Sequence, residues 1–138
     1  MFIAFGLKQE NADVTIVNRS VEKAQEIAMR FGQNFLALEH AAGKEFDIIV
    51  NATSVGMHPK IKENIVPEGL LKKGTIVMDV VYNPLETKLL QLAKKKGCKT
   101  VPGIEMFILQ AAEQFKLWHG KKPDTELMKK VLIKELEK

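Results

Sequence analysis

Short apolar runs alternate along this chain with longer stretches of helical period, and that alternation predicts most of its elements. The segment 13–18 (DVTIVN) reads as a short buried strand, and 35–38 as a second. FDIIVNAT at 46–53 and TIVMDVV at 75–81 are apolar on both faces, as in a parallel sheet covered by helices. CKTVP at 98–102 reads as a fifth strand. Ala24, Ile27, Ala28 and Phe31 recur at helical spacing, which predicts a helix over 21–31 with Ser20 as N-cap and Gly32 as its end. Further helices are predicted over 85–96, 105–120 and 124–138, the second of these packing on the sheet through Phe107, Ala111, Phe115 and Trp118. Phe2, Ile3, Phe5 and Leu7 begin in the manner of a helix interior, with no capping residue ahead of them. Strands alternating with helices predict βα units and an α/β fold with a mostly parallel sheet. No repeat, linker or low-complexity segment interrupts the chain, so residues 1–138 are expected to form a single domain.

Composition narrows the function classes. A chain of 138 residues, 46% hydrophobic and 28% charged, is long enough for a real core. No apolar run approaches the roughly 20 residues of a membrane span, and no charged-then-apolar signal opens the chain. A lone cysteine, Cys98, fits a reducing cytoplasm and reads as a small filler before a strand. His40, His58 and His119 lie far apart, and no Cys/His cluster has metal spacing, so no metal site is expected. The net charge of +4 would suit a nucleic-acid partner, but the excess is lysine. Arg19 and Arg30 are the only arginines, whereas base readout favours arginine forks. Lys94, Lys95, Lys96, Lys129, Lys130 and Lys134 fall on helical patterns, as solvated faces do. No nucleic-acid or membrane partner is expected.

In open parallel sheets ligands bind beyond the C-terminal ends of the strands, so those ends carry the candidate chemistry. The first is Asn18-Arg19-Ser20, with Lys23 one turn into the helix. Where NAD enzymes place an acidic residue for the ribose hydroxyl, an arginine suits a ribose 2′-phosphate, and the helix N-terminus adds N–H donors. Taken alone, the segment fits an ordinary strand–turn–helix with an exposed basic pair equally well, and Ser20 could either cap the helix or bind the phosphate. The third strand ends in Asn51-Ala52-Thr53-Ser54-Val55-Gly56-Met57, small hydroxyl residues and a glycine that permit close backbone approach, or simply a polar loop. The fourth ends in Asp79-Val80-Val81-Tyr82-Asn83-Pro84. Tyr82 offers a hydroxyl at the rim or packs there, and Asp79 reads as a structural acceptor. After the fifth strand come Pro102-Gly103 and a helix with Met106 and Gln110 on one face; the methionine reads as core and the glutamine as exposed.

These segments, with Thr87 and with Gln110-Ala111-Ala112, stand in one order at one spacing, and in that combination the chain resembles shikimate dehydrogenase from about Phe2 to its C-terminus. The resemblance implies a Rossmann-like parallel sheet with flanking helices, and NADPH-dependent reduction of 3-dehydroshikimate to shikimate in aromatic amino-acid biosynthesis. It implies that Asn18, Arg19, Ser20 and Lys23 grip the adenosine 2′-phosphate, that Thr53 and Ser54 lie beside the cofactor, and that Val80 and Gly103 line its nicotinamide side. Tyr82 and Gln110 would reach the substrate. His119 stands where many relatives have threonine, with no consequence expected.

The departures are as informative. The family's Gly-Ala-Gly-Gly-Ala loop, the first strand, and the substrate domain with its lysine–aspartate pair are not found in these 138 residues. The expectation is therefore a truncated sheet, no catalytic residue in this chain, and no activity from it alone. A non-catalytic NADP-binding or chain-association module, an enzyme completed by another polypeptide, and a quinate-directed parent enzyme are the alternatives. In a sheet of order 3-2-1-4-5-6 the missing strand is central. Its loss is expected to leave an open edge on each side, to favour self-association, and to make the three-strand half the more ordered.

Overall fold

The computed structural model describes residues 2–136. Their elements run α1 (Phe2–Gln9), β1 (Thr15–Asn18), α2 (Val21–Phe31), β2 (Asn34–Ala37), β3 (Ile48–Asn51), β4 (Ile76–Asp79), α3 (Lys88–Lys95), β5 (Lys99–Val101), α4 (Gly103–His119) and α5 (Thr125–Leu136). Two compact units are formed, one up to Glu45 and one from Phe46.

The first unit is a βαβ turn preceded by a helix. β1 and β2 pair in parallel, Thr15 opposite Asn34 through Asn18 opposite Ala37. α2 crosses over both strands and buries Ala24 and Ala28, with Ile27 and Phe31 half-buried, the face expected from the sequence. Gly32 ends the helix at φ 60°, where its N–H reaches the carbonyls of Ala28 and Met29; a side chain would be strained in that conformation. Against α2 rests α1, through Phe5 on Phe31 with ring centroids 5.9 Å apart. Lys8 Nζ donates to the Phe31 carbonyl, and Gln33 Nε2 to the Ala4 carbonyl at 2.7 Å.

The second unit is a parallel sheet of order β3-β4-β5, with Ile48 opposite Ile76 and Ile76 opposite Lys99. α3 lies on β4 and β5 and buries Leu89, Leu90 and Ala93. Val77 and Val81 from the sheet, Val66, Leu70 and Leu71 from the preceding loop, and Ile104 and Ile108 from α4 complete this core. α5 packs along α4 and is tied to its first turn by the ion pair of Lys129 with Glu105.

All three strand pairings are parallel, as expected. The strands are shorter than the apolar runs suggest because side chains at their ends leave the ladder. Asn51 turns back onto Thr53 and Val55, and Asp79 onto Val81. α3 starts at Lys88 rather than 85 because Thr87 caps it, its hydroxyl accepting from Leu90 N–H. Among the described residues β1 pairs on one side, with β2, and β3 on one side, with β4. Ile48, expected to be covered on both faces, is 51% exposed on that edge strand.

One expectation is corrected. α4 buries Gly103, Ile104, Ile108 and Ala112, not the stripe of Phe107, Ala111, Phe115 and Trp118. Phe107 and Ala111 are half-buried, Phe115 is exposed and Trp118 is 73% exposed. The reason is the helix start. A Cβ on Gly103 would stand 2.4 Å from the Val81 carbonyl oxygen and 2.6 Å from that of Val80, so the backbone of this turn lies directly on the end of β4. That contact sets which stripe faces inward.

The cores rank the helices by what truncation costs. Leu90→Ala is expected to destabilise the second unit by about 3 kcal/mol, as a buried leucine does, whereas Trp118→Ala should stay within about 0.5 kcal/mol. Denaturant titration of the two variants checks this, and a large loss at Trp118 would contradict the burial described.

Candidate functional site

The turn after β1 carries the basic candidates. Asn18 ends the strand, and its Oδ1 accepts the Ser20 N–H at 3.1 Å, which closes a tight turn. Arg19 at the tip of that turn is exposed, as is Lys23 in the first turn of α2. Ser20 holds the N-cap position with extended backbone but makes no capping bond. Its hydroxyl instead donates to Glu22 Oε2 at 2.7 Å. That bond is the main reason the Glu22 carboxyl sits below its ordinary pKa. Two exposed cations beside a helix N-terminus favour an anion there by their charge and by the helix dipole. Glu22, in the same first turn, opposes them.

The strand-end residues of the second unit are joined by a buried polar network centred on Asp79, which is 0% exposed. Its Oδ1 accepts from Asn51 Nδ2 at 3.0 Å and from Val81 N–H at 3.1 Å, and its Oδ2 from the Thr87 hydroxyl at 2.6 Å. Asn51 also donates to the Val55 carbonyl at 3.2 Å. Its Oδ1 accepts both the N–H of Thr53 at 3.1 Å and its hydroxyl at 2.7 Å. Thr53 Oγ1 in turn accepts Val55 N–H at 3.1 Å. Burial raises the Asp79 carboxyl above its ordinary pKa, with the bonds from Thr87, Val81 and Asn51 opposing the shift.

The named candidates sit around this network. Thr53 and Ser54 are exposed on the loop that Asn51 holds. Val80 is half-buried, its N–H bonded to the Asn51 carbonyl at 3.1 Å, and its own carbonyl lies against Gly103. Tyr82 stacks on Phe107 with centroids 4.6 Å apart. Gln110 is exposed one turn further along α4 from Phe107, on the same side. Val80 meets Gly103 and Tyr82 meets Phe107 of α4, while the basic turn belongs to the first unit. Asp79 is the structural acceptor expected. The supporting bonds of Asn51 and Thr87 have their signals in the sequence, in the Asn-x-Thr spacing of 51 and 53 and in a threonine three residues before Leu90, a turn and a cap pattern. Among the described residues no group of three or more His, Cys, Asp or Glu could hold a metal ion, and no helix is long and apolar enough to cross a membrane.

Asp79→Ala would strand three donors in the interior, and a loss of about 3 kcal/mol is expected. The pH dependence has a definite sign. A buried carboxyl with a raised pKa binds more protons folded than unfolded across the window between the two values. Its contribution to stability therefore falls as pH rises out of the acid range and levels off once Asp79 is ionised. The stability difference between the natural chain and Asp79→Asn, measured by denaturant titration from acid to neutral pH, should show that fall. A flat difference would contradict it.

This geometry has close counterparts. Residues 2–96 match the family described as shikimate / quinate 5-dehydrogenase, and residues 103–133 the shikimate 5′-dehydrogenase C-terminal domain. A shikimate dehydrogenase (NADP(+)) of Methanosarcina mazei is 38% identical over 98% of this chain and 51% of its own length. A shikimate 5-dehydrogenase of Thermus thermophilus, solved with NADP(H) and shikimate, superposes with a TM-score of 0.83 at 34% identity, over 93% of this chain and 48% of that one. A quinate dehydrogenase of Corynebacterium glutamicum, solved with NAD, gives 0.82 at 29% identity, over 96% and 50%. The chain thus spans about half the length of the relatives it matches, and its Rossmann-like α/β architecture and sequence make it a member of the shikimate / quinate 5-dehydrogenase family.

Proposed function

We propose that this chain supplies the cofactor-binding part of an NADP-dependent shikimate dehydrogenase, its 138 residues acting as one partial dinucleotide-binding domain in the cytoplasm. The observation that carries the reading is the turn after β1, where Arg19 and Lys23 stand exposed at the N-terminus of α2. Two cations at a helix N-terminus suit a ribose 2′-phosphate, with charge-assisted bonds that NAD cannot make. The names of the relatives support the same cofactor and substrate; quinate is the alternative substrate within the family.

In this reading Asn18, Arg19, Ser20 and Lys23 hold the 2′-phosphate. Thr53 and Ser54 lie beside the cofactor, and Val80 and Gly103 line its nicotinamide side. Tyr82 and Gln110 bear on shikimate or 3-dehydroshikimate. Bound NADPH supplies the hydride that reduces the substrate ketone. The residues described here bind and orient, and none is assigned the proton transfer at the reacting oxygen. Ser20 must release Glu22 to reach a phosphate, so Glu22 tempers the site.

Titration of these 138 residues with NADPH and NADH at low salt tests the reading. NADPH should bind more tightly, Arg19→Ala should remove about tenfold of that advantage, and Glu22→Gln should tighten NADPH binding a few-fold. Equal affinities, or an Arg19→Ala variant without effect, would sink it. The same preparation is expected to form no NADPH from shikimate and NADP, and turnover that survives repurification and responds to Tyr82→Phe would be the contrary result.

Open edges at β1 and β3, with Ile48 exposed, also favour pairing with another chain. Sedimentation of the 138-residue polypeptide should show concentration-dependent self-association. A monodisperse monomer at all concentrations would exclude it.

A further inference from the structure

The hydrogen-bond directions in the buried network fix more than a fold. Every position on the Asn51 amide is used: two N–H groups donate to Asp79 and Val55, and the oxygen accepts twice from Thr53. Exchanging the amide oxygen and nitrogen would set Asn51 donors against the Thr53 N–H, so the orientation follows from the bonding. Asp79, as a carboxylate, only accepts, and so commands the Thr87 hydroxyl proton and one Asn51 proton. Asn51 Oδ1, aimed away from Asp79, commands the Thr53 hydroxyl proton. Thr53 itself is exposed, while Asn51, Asp79 and Thr87 are buried.

We propose that Thr87, Asp79 and Asn51 are positioning residues that hold loop 52–56 and present Thr53 to a ligand as an acceptor-only hydroxyl. Its single proton is committed to Asn51 and one lone pair to Val55 N–H, which leaves one lone pair facing outward. Such a group takes a hydrogen-bond donor, a carboxamide NH2, an adenine NH2 or a sugar hydroxyl, and gives no hydrogen bond to a phosphate oxygen. The proposal rests on the reading of the chain as a dinucleotide binder and sharpens it: among those donors loop 52–56 takes the carboxamide NH2 of the nicotinamide, and a nucleotide that keeps the adenine but lacks the nicotinamide separates the two.

Two nucleotides and three variants test this. NADPH carries the nicotinamide, and 2′,5′-ADP carries the 2′-phosphate without it. Thr87→Val keeps the shape of the side chain and deletes its bonds to Asp79 and to Leu90 N–H. It should speed hydrogen exchange at the Thr53 and Val55 amides by at least about tenfold more than at Val77, and weaken NADPH about tenfold while leaving 2′,5′-ADP unchanged. Thr87→Ser should restore both. Thr53→Val removes the hydroxyl, with its bonds to Asn51 and Val55, from an exposed loop, and should weaken NADPH alone. Unchanged exchange at Thr53 and Val55 in Thr87→Val, or undiminished NADPH affinity in Thr53→Val, would overturn the proposal. So would equal losses for the two nucleotides. If neither nucleotide binds the natural chain, the dinucleotide reading and the ligand half of this proposal fall together, while the exchange measurement still decides the positioning half.

Discussion

A carboxylate buried away from water and met by neutral donors is the constraint around which the second unit is organised. Asp79 has to be met by donors or it cannot stay charged in the interior. Three are provided, from three different places: the end of β3, the backbone just past β4, and the residue that caps α3. Each donor fixes the element it comes from. The ladder stops at Asp79 because its side chain is needed at Val81, the helix starts after Thr87, and Asn51 is held so that its other three bonds shape the loop to Val55. The raised pKa is the residue of this balance, burial outweighing the three bonds.

The same balance explains what the sequence disclosed and what it did not. Hydrophobic period located all five strands and the helices, because a short parallel strand and an amphipathic helix leave signatures within ten residues. It also suggested that an aspartate at a strand end would accept hydrogen bonds. It could not name the two side-chain donors, which lie 28 residues before Asp79 and 8 after it. Ser20 shows the limit at short range. Its position as N-cap was legible, but a glutamate two residues on competes for the hydroxyl, and nothing in the pattern says which partner wins.

The inward face of α4 was lost for a different reason. Aromatic residues at helical spacing suggested that Phe107, Phe115 and Trp118 point inward. The orientation is set instead by a residue with no side chain. Gly103 lets the first turn of α4 touch the backbone of Val80 and Val81, and the stripe of Ile104, Ile108 and Ala112 is what that contact turns toward the sheet. A glycine's reach is visible in sequence only as an absence, so hydrophobicity was the only signal available, and it pointed about one residue round the helix from the answer.

The two sets of candidate residues also differ in kind, and that difference bears on how each can recognise a ligand. Arg19 and Lys23 are exposed charges on a surface turn. Their attraction for an anion is screened by salt and tolerant of small displacements, so they can select for a phosphate without placing it finely. Loop 52–56 has the opposite character. Its charge-free hydroxyl is oriented by bonds whose far ends are buried, so its selectivity lies in direction and not in strength. The cofactor-binding role proposed above has need of both. The phosphate end has only to be held, whereas the nicotinamide must meet a carbonyl carbon within about an ångström. The buried network stands behind the residues assigned to that second task, where directional hydrogen bonds give the precision that surface charge does not.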